Sequence, residues 1–225
     1  MTALDIKAWL GLAFLAVVMA LVLFSAAGTV RYWQAWVYLA AFFGGAISVT
    51  LYLARNDPAL LERRLTAGPT AEKEQSQKVI MTLATIGFIA LLVIPALDHR
   101  FAWSSVPLYV VVVGDILTLA SFYIIFLVYR ENTFTSATIE VAAEQKVIST
   151  GPYAVVRHPM YAGSLPLLVG TPLALGSYWG LLALAAMMPA LIWRLFDEER
   201  FLSQNLAGYA EYCVKVRWRL IPRVW

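Results

Sequence analysis

The chain has 225 residues, of which 61% are hydrophobic and only 14% are charged. This apolar share far exceeds that of an ordinary soluble domain, which excludes water as the only solvent of the protein. The formal net charge of +3 is small, and it indicates membrane topology and contact with anionic lipid rather than a nucleic-acid partner.

Four apolar segments are long enough to cross a hydrocarbon core of roughly 30 Å as helices. A fifth apolar region, residues 161–196, predicts two shorter helices joined near residues 175–178, because Pro and Gly interrupt it. We therefore predict an all-α, polytopic membrane protein with four transmembrane helices plus a C-terminal membrane-embedded helical hairpin. The four spans cover approximately residues 8–27, 33–53, 79–97 and 106–129, and the interruptions are Pro166, Pro172, Gly176 and Pro189.

The basic residues predict the orientation of these helices, since Lys and Arg in short loops are retained on the cytoplasmic side. Of the 17 Lys and Arg, only Arg31 and Arg100 fall on the side opposite the termini. Both termini are therefore expected in the cytoplasm. Residues 1–130 are interpreted as transmembrane scaffold helices and residues 131–225 as the cofactor-binding and catalytic region of one continuous membrane domain.

Two features of the first region, and the cysteine content of the whole chain, bear on function. Asn56, Asp57 and Pro58 predict the start of a short helix in the loop after the second span. Asp115 lies well inside a predicted span, where a carboxylate is by default a functional candidate. Its place near the outer end favours instead a pair with a neighbouring helix or contact with water. The single cysteine, Cys213, excludes an internal disulfide and a cysteine metal cluster, and no metal site is predicted.

Polar residues become dense after the fourth span. The sequence Ser149-Thr150-Gly151-Pro152-Tyr153 is typical of a turn, and Pro159 suits the first turn of the next helix. This arrangement puts His158 at the helix N-terminus and Tyr161 one turn inside, on nearly the same face. Their donors and the backbone N–H groups predict a pocket for a carboxylate. The alternative is a histidine that merely caps the helix at the membrane interface.

A second polar cluster follows the hairpin. Arg194 and Glu198 are four residues apart and share a helix face. Alone, they could form a surface ion pair worth a few tenths of a kcal/mol. If the hairpin returns the chain to its start, however, both clusters border one cavity on the cytoplasmic side.

Taken in order, these motifs resemble the isoprenylcysteine carboxyl methyltransferase family and its bacterial relatives. The resemblance covers about residues 138–225. The motifs are Ser149-Thr150-Gly151-Pro152-Tyr153, Arg157-His158-Pro159-Met160-Tyr161-Ala162-Gly163, the broken apolar hairpin, Arg194 with Glu198-Glu199, and Gly208-Tyr209 with Glu211-Tyr212 before Ile221-Pro222.

The resemblance implies an S-adenosylmethionine-dependent methyltransferase, with its cofactor at the cytoplasmic face and a lipid-side entry for an apolar acceptor. It implies that Arg194 contacts the acceptor, and Gln145 stands where members of the family often carry a histidine. The positions assigned to the cofactor are Gln145, Lys146, Val147, Ile148, Tyr153, His158, Met160, Tyr161 and Glu198.

The chemistry of the residues agrees with this assignment. The carboxylate of S-adenosylmethionine suits the helix N-terminus with His158 and Tyr161, and Glu198 can balance its ammonium and sulfonium. A carboxylate acceptor is already ionised at neutral pH and needs no base, whereas a thiol or amine would need His158 or Glu199 as the nearest base. The common soluble way of binding this cofactor is excluded, since no strand precedes a G-x-G-x-x-G motif.

Several alternatives remain open at the level of sequence. The acceptor could be a prenylated cysteine carboxylate, a small thiol or a phospholipid amine. A non-enzymatic transporter or assembly protein could use the polar clusters to bind a small anion or a partner. A membrane reductase with a nicotinamide cofactor is the third possibility. The oligomeric state and any metal dependence are not predicted.

Overall fold

The computed structural model describes residues 2–65, 68, 70–72, 74–135, 138 and 145–225. Over these residues the chain is all-helical, with eight α-helices, one 3-10 helix and no strand. The elements are α1 (Ala3–Ala27), α2 (Trp33–Asn56), α3 (Pro58–Leu65), α4 (Gln75–Phe101), α5 (Leu108–Glu131), the 3-10 helix (Gly151–Ala154), α6 (Pro159–Ala174), α7 (Gly180–Asn205) and α8 (Tyr209–Lys215).

Five of the described helices are long and apolar enough to cross a membrane, namely α1, α2, α4, α5 and α7. The four predicted spans correspond to α1, α2, α4 and α5. The predicted hairpin corresponds to α6 and α7, but α7 alone has the length and composition of a span. The integral membrane character is therefore supported, whereas the predicted count of four spans plus a hairpin is not confirmed.

The prolines of the hairpin do not break its helices as we expected. Pro166 and Pro172 lie inside α6, and Pro189 lies inside α7. A proline removes one backbone hydrogen bond, which helices packed in a membrane bundle tolerate. The chain reverses at Gly176 instead, where φ is +71°, a left-handed conformation that glycine adopts at little cost. The turn thus lies within the predicted interval, residues 175–178. It depends on Gly176 and not on the three prolines.

Helix α6 lies directly against α5 because glycines remove the side chains between them. A Cβ atom on Gly114 would lie 2.2 Å from the backbone nitrogen of Ala174 and 2.8 Å from the carbonyl oxygen of Gly170. The hydroxyl of Ser121 also donates to the carbonyl oxygen of Gly163 at 2.6 Å. This close packing fixes the direction of α6 and hence the position of its first turn.

The turns α1–α2, α4–α5 and α6–α7 meet at one end of the bundle. The Tyr32 hydroxyl donates to the carbonyl oxygen of Leu175 at 2.5 Å, and Ser177 donates to Asp98 at 2.5 Å. We call the opposite end, where α5 ends and α6 begins, the polar end. The predicted short helix is confirmed there as α3, since the backbone N–H of Leu60 donates to the Asp57 carboxylate at 2.9 Å.

Asp115 lies in α5 with its side chain partly exposed. Its Oδ1 atom is buried and has no hydrogen-bond partner within the described part of the chain. The pair with a neighbouring helix that we considered from the sequence is therefore not seen among the described residues.

Candidate active site

A cavity of about 270 Å³ opens at the polar end of the bundle. Its walls come from the first turn of α6, the last polar turns of α7, the coil before the 3-10 helix, and α8. The first 130 residues also contribute, through Arg64 and Met81. All nine positions assigned to the cofactor from the sequence line this cavity, as does Arg194: Gln145, Lys146, Val147, Ile148, Tyr153, His158, Met160, Tyr161 and Glu198.

The C-terminal tail, residues 216–225, fixes the entrance to α6. The backbone N–H of Arg157 donates to the carbonyl oxygen of Trp218 at 2.9 Å, and that of His158 donates to Arg219 at 3.0 Å. Helix α8 adds a further bond, from the Tyr212 hydroxyl to the carbonyl oxygen of Tyr153 at 2.8 Å. His158 therefore stands at the start of α6 because residues about 60 positions later hold its backbone.

Two helices of the hairpin meet across the cavity through Tyr161 and Glu198. The Tyr161 hydroxyl donates to Glu198 Oε2 at 2.6 Å, and the other carboxylate oxygen lies 3.9 Å from His158 Nδ1. His158 is buried, while the Glu198 side chain is partly exposed to the cavity. The arrangement offers an imidazole and a helix N-terminus to an anion, and to a cation it offers a carboxylate that the Tyr161 phenol holds in place, within one space.

Glu199 has different partners from Glu198. Its carboxylate accepts from Arg157 at 2.9 Å, from Arg219 at 2.9 Å and lies 3.2 Å from His158 Nε2. It is absent from the described lining of the cavity. Since a carboxylate bound by two guanidinium groups is a weak base, its geometry suits a residue that positions His158 and the C-terminal tail rather than a proton acceptor.

Arg194 is held by two residues that the sequence did not suggest. Its Nη2 lies 2.8 Å from Glu72 Oε1, and its Nη1 donates to Gln77 Oε1 at 2.8 Å. Gln77 also donates to the carboxylate of Asp197. Glu72 precedes α4 and Gln77 lies in its first turn, so the segment between the second and third predicted spans supplies part of the site.

Tyr153 also lines the cavity, and Asn132 donates to its hydroxyl at 2.9 Å. Burial raises the pKa of Tyr153 above its ordinary value, which keeps the phenol protonated at neutral pH. Asn132 ends α5 and lines the cavity, yet it was not singled out as a site residue. In the sequence, an isolated asparagine after a transmembrane helix indicates only that the helix ends there, and it does not indicate a site residue.

A second cavity, of about 290 Å³, lies between α4, α6 and α7. Apart from Tyr161, Ser164 and Arg194, the side chains of its wall are apolar. Four residues line both cavities: Met81, Tyr161, Ser164 and Arg194. The apolar space therefore adjoins the polar one at these four residues, of which Arg194 is the only charged one.

Comparison with known proteins supports the resemblance seen in the motifs. A family model described as phospholipid methyltransferase matches residues 109–208. Protein-S-isoprenylcysteine O-methyltransferase B of Arabidopsis thaliana is 28% identical over 145 residues, which cover 60% of this chain and 68% of that relative. The family model begins at residue 109, so the similarity includes α5, upstream of the point where we recognised it.

Both matches are to methyltransferases, so the predicted resemblance is confirmed. Neither match favours a transporter, an assembly protein or a reductase.

Proposed function

We propose that the chain transfers the methyl group of S-adenosylmethionine to a lipophilic acceptor at the polar end of the bundle. The acceptor is an isoprenylcysteine-like carboxylate or a thiol. The observation that carries this proposal is the meeting of the two cavities at Arg194, with Glu198 and Tyr161 on the polar side and an apolar wall beyond. One space suits a charged cofactor, and the other suits an apolar chain.

The residues of the polar cavity fit S-adenosylmethionine. The amino-acid end of this cofactor needs a partner for a carboxylate and a partner for an ammonium group. The N-terminus of α6 and His158 would hold the carboxylate, and Glu198, fixed by the Tyr161 hydroxyl, would face the cationic groups. Val147, Ile148 and the Tyr153 ring would hold the adenosine. At about 270 Å³, the described cavity is close to the lower end of the range for small-molecule sites, about 300–1,000 Å³.

When bound, S-adenosylmethionine would supply a methyl group activated by its sulfonium. The chain contributes orientation and exclusion of water, since the Tyr161 hydroxyl fixes Glu198 and the apolar walls lie next to the reacting region. Arg194 borders both cavities and would orient the acceptor's polar group. We propose that the polar end faces the cytoplasm, because the basic residues concentrate there.

The first experiment measures equilibrium binding of S-adenosylhomocysteine to the purified, detergent-solubilised protein. We expect binding that is abolished by Glu198→Ala and by Tyr161→Ala. No binding by the wild-type protein at millimolar concentration would refute the proposal.

The second experiment separates cofactor binding from use of the acceptor. Arg194→Ala should keep binding of S-adenosylhomocysteine while transfer of labelled methyl groups to a lipophilic acceptor falls. Arg200→Ala is the matched control, because Arg200 is an exposed arginine on the same helix. Equal loss of cofactor affinity in the Arg194, Glu198 and Tyr161 variants would contradict this division of roles.

A further inference from the structure

The guanidinium of Arg194 is already paired with an anion of the chain itself. Glu72 Oε1 lies 2.8 Å from Nη2, and Gln77 Oε1 accepts from Nη1 at 2.8 Å. The three residues are buried, with 7% of Arg194, 4% of Glu72 and 2% of Gln77 exposed. Because charge pairs are weakly screened away from water, Glu72 neutralises much of the charge that Arg194 would offer to a ligand.

An acceptor carboxylate would therefore approach a guanidinium group that is already paired with Glu72. Arginine binds carboxylates through two parallel hydrogen bonds, and here Nη1 and Nη2 both have partners. Glu198 adds a further carboxylate on the cavity side, four residues along the same helix. An acceptor with an uncharged polar group avoids the resulting repulsion and still has a donor in Arg194.

We propose that Glu72 determines the acceptor preference of the site by competing with acceptor carboxylates for Arg194. The inference rests on the proposed function, and it narrows the acceptor to one that presents an uncharged polar group beside Arg194. Gln77 is a positioning residue in this scheme. Its amide oxygen accepts from Arg194 while its amide nitrogen donates to Asp197, so its orientation is fixed from both sides.

Glu72→Gln tests the competition, because it removes the charge and keeps the shape of the side chain. Glu74→Gln is the matched control: it removes the same charge two residues later, where the side chain is exposed. The probes are N-acetyl-S-farnesylcysteine, which carries a free carboxylate, and its carboxamide analogue. Their dissociation constants are measured on the full chain in detergent, with S-adenosylhomocysteine present.

We expect Glu72→Gln to bind the carboxylate probe about tenfold more tightly, while its affinity for the carboxamide changes by less than about threefold. Glu74→Gln should change neither affinity. A residue that only supports the structure would instead weaken both probes together. Parallel changes in the two affinities, or weaker binding of the carboxylate, would overturn the proposal.

The wild-type protein supplies a test that does not depend on how any variant folds. Its affinity for the carboxylate probe should be no greater than that for the carboxamide, and a preference of about tenfold for the carboxylate would overturn the proposal. Failure of the underlying function is recognised separately, since the wild type would then not bind S-adenosylhomocysteine. Retained cofactor binding without any dependence of carboxylate affinity on Glu72 would refute this inference alone.

Discussion

Two adjacent carboxylates of α7 should respond in opposite ways to the same isosteric change. Glu199→Gln should lower stability with a smaller effect on the cofactor. Glu198→Gln should abolish most cofactor affinity with little effect on stability. The reason is that Glu199 joins two arginines and a histidine, whereas Glu198 faces the cavity with one hydrogen bond from Tyr161.

The magnitude for Glu199 follows from its burial and its partners. Its side chain is 12% exposed, and those of Arg157 and Arg219 are 14% and 29% exposed. Breaking a fully buried pair costs about 3–5 kcal/mol, and the partial exposure of Arg219 together with the amide oxygen kept by glutamine reduces this to about 2–3 kcal/mol. At roughly 2–4 °C per kcal/mol for a chain of this size, the apparent Tm should fall by about 4–12 °C.

The Glu198 side chain is 26% exposed, and glutamine keeps an acceptor for the Tyr161 hydroxyl. Its effect on stability should therefore stay within about 1 kcal/mol. Loss of the negative charge should raise the dissociation constant of S-adenosylhomocysteine by about tenfold or more, and a tenfold change is equivalent to ~1.4 kcal/mol. Both variants are compared by thermal unfolding in detergent and by ligand titration. Equal losses of Tm, or equal losses of affinity, would refute the separate roles.

Two further predictions concern packing and pH. Gly114→Ala should destabilise the protein by about 1–3 kcal/mol, because the new Cβ would overlap the backbone of Ala174, whereas Gly44→Ala, with open space around it, should leave the Tm unchanged or slightly higher. Burial raises the pKa of Tyr209 above its ordinary value of about 10, so folding favours the protonated phenol. The contribution of Tyr209 to the free energy of unfolding should thus be fully present below pH ~10 and decrease as the pH rises above that value. The free energy of unfolding of Tyr209→Phe should decrease less steeply over the same range, and identical slopes for the two proteins would contradict this assignment.

The lengths of the apolar segments predicted most of the fold. Each of the four long apolar runs forms one helix, because a helix satisfies the backbone hydrogen bonds of such a run within the run itself, as lipid requires. Proline was a weaker guide, since Pro166, Pro172 and Pro189 stay inside helices while Gly176 alone makes the turn. A missing hydrogen bond can be tolerated by a packed helix, but a reversal of the chain needs a backbone conformation that glycine supplies.

The positions assigned to the cofactor could be predicted because they are close in sequence to helix ends. Arg194 and Glu198 lie four residues apart, and both face the cavity as the helical period requires. The same period places Glu199 about 100° further round the helix, which is the signal that separates it from Glu198. Glu72 and Gln77 could not be found in this way. Their link to Arg194 spans more than 110 residues and exists only through the contact of α4 with α7.

One polar stretch of α7, residues 194–199, therefore connects three other parts of the chain: the start of α4, the start of α6 and the C-terminal tail. Four charged residues of this stretch have partners elsewhere in the chain, and two of them share Gln77: Arg194 pairs with Glu72 and Gln77, Asp197 with Ser76 and Gln77, Glu198 with Tyr161, and Glu199 with Arg157 and Arg219. Because the partners are shared through Gln77 and through one rigid stretch of helix, paired substitutions within it should not be additive. Residues this close couple by about 0.5–3 kcal/mol, so the alanine variants of Arg194 and Glu198 measure loss of binding together with loss of support, and they are compared with isosteric changes. The isosteric changes proposed above avoid that mixture, because each removes one charge and leaves the space of the side chain filled.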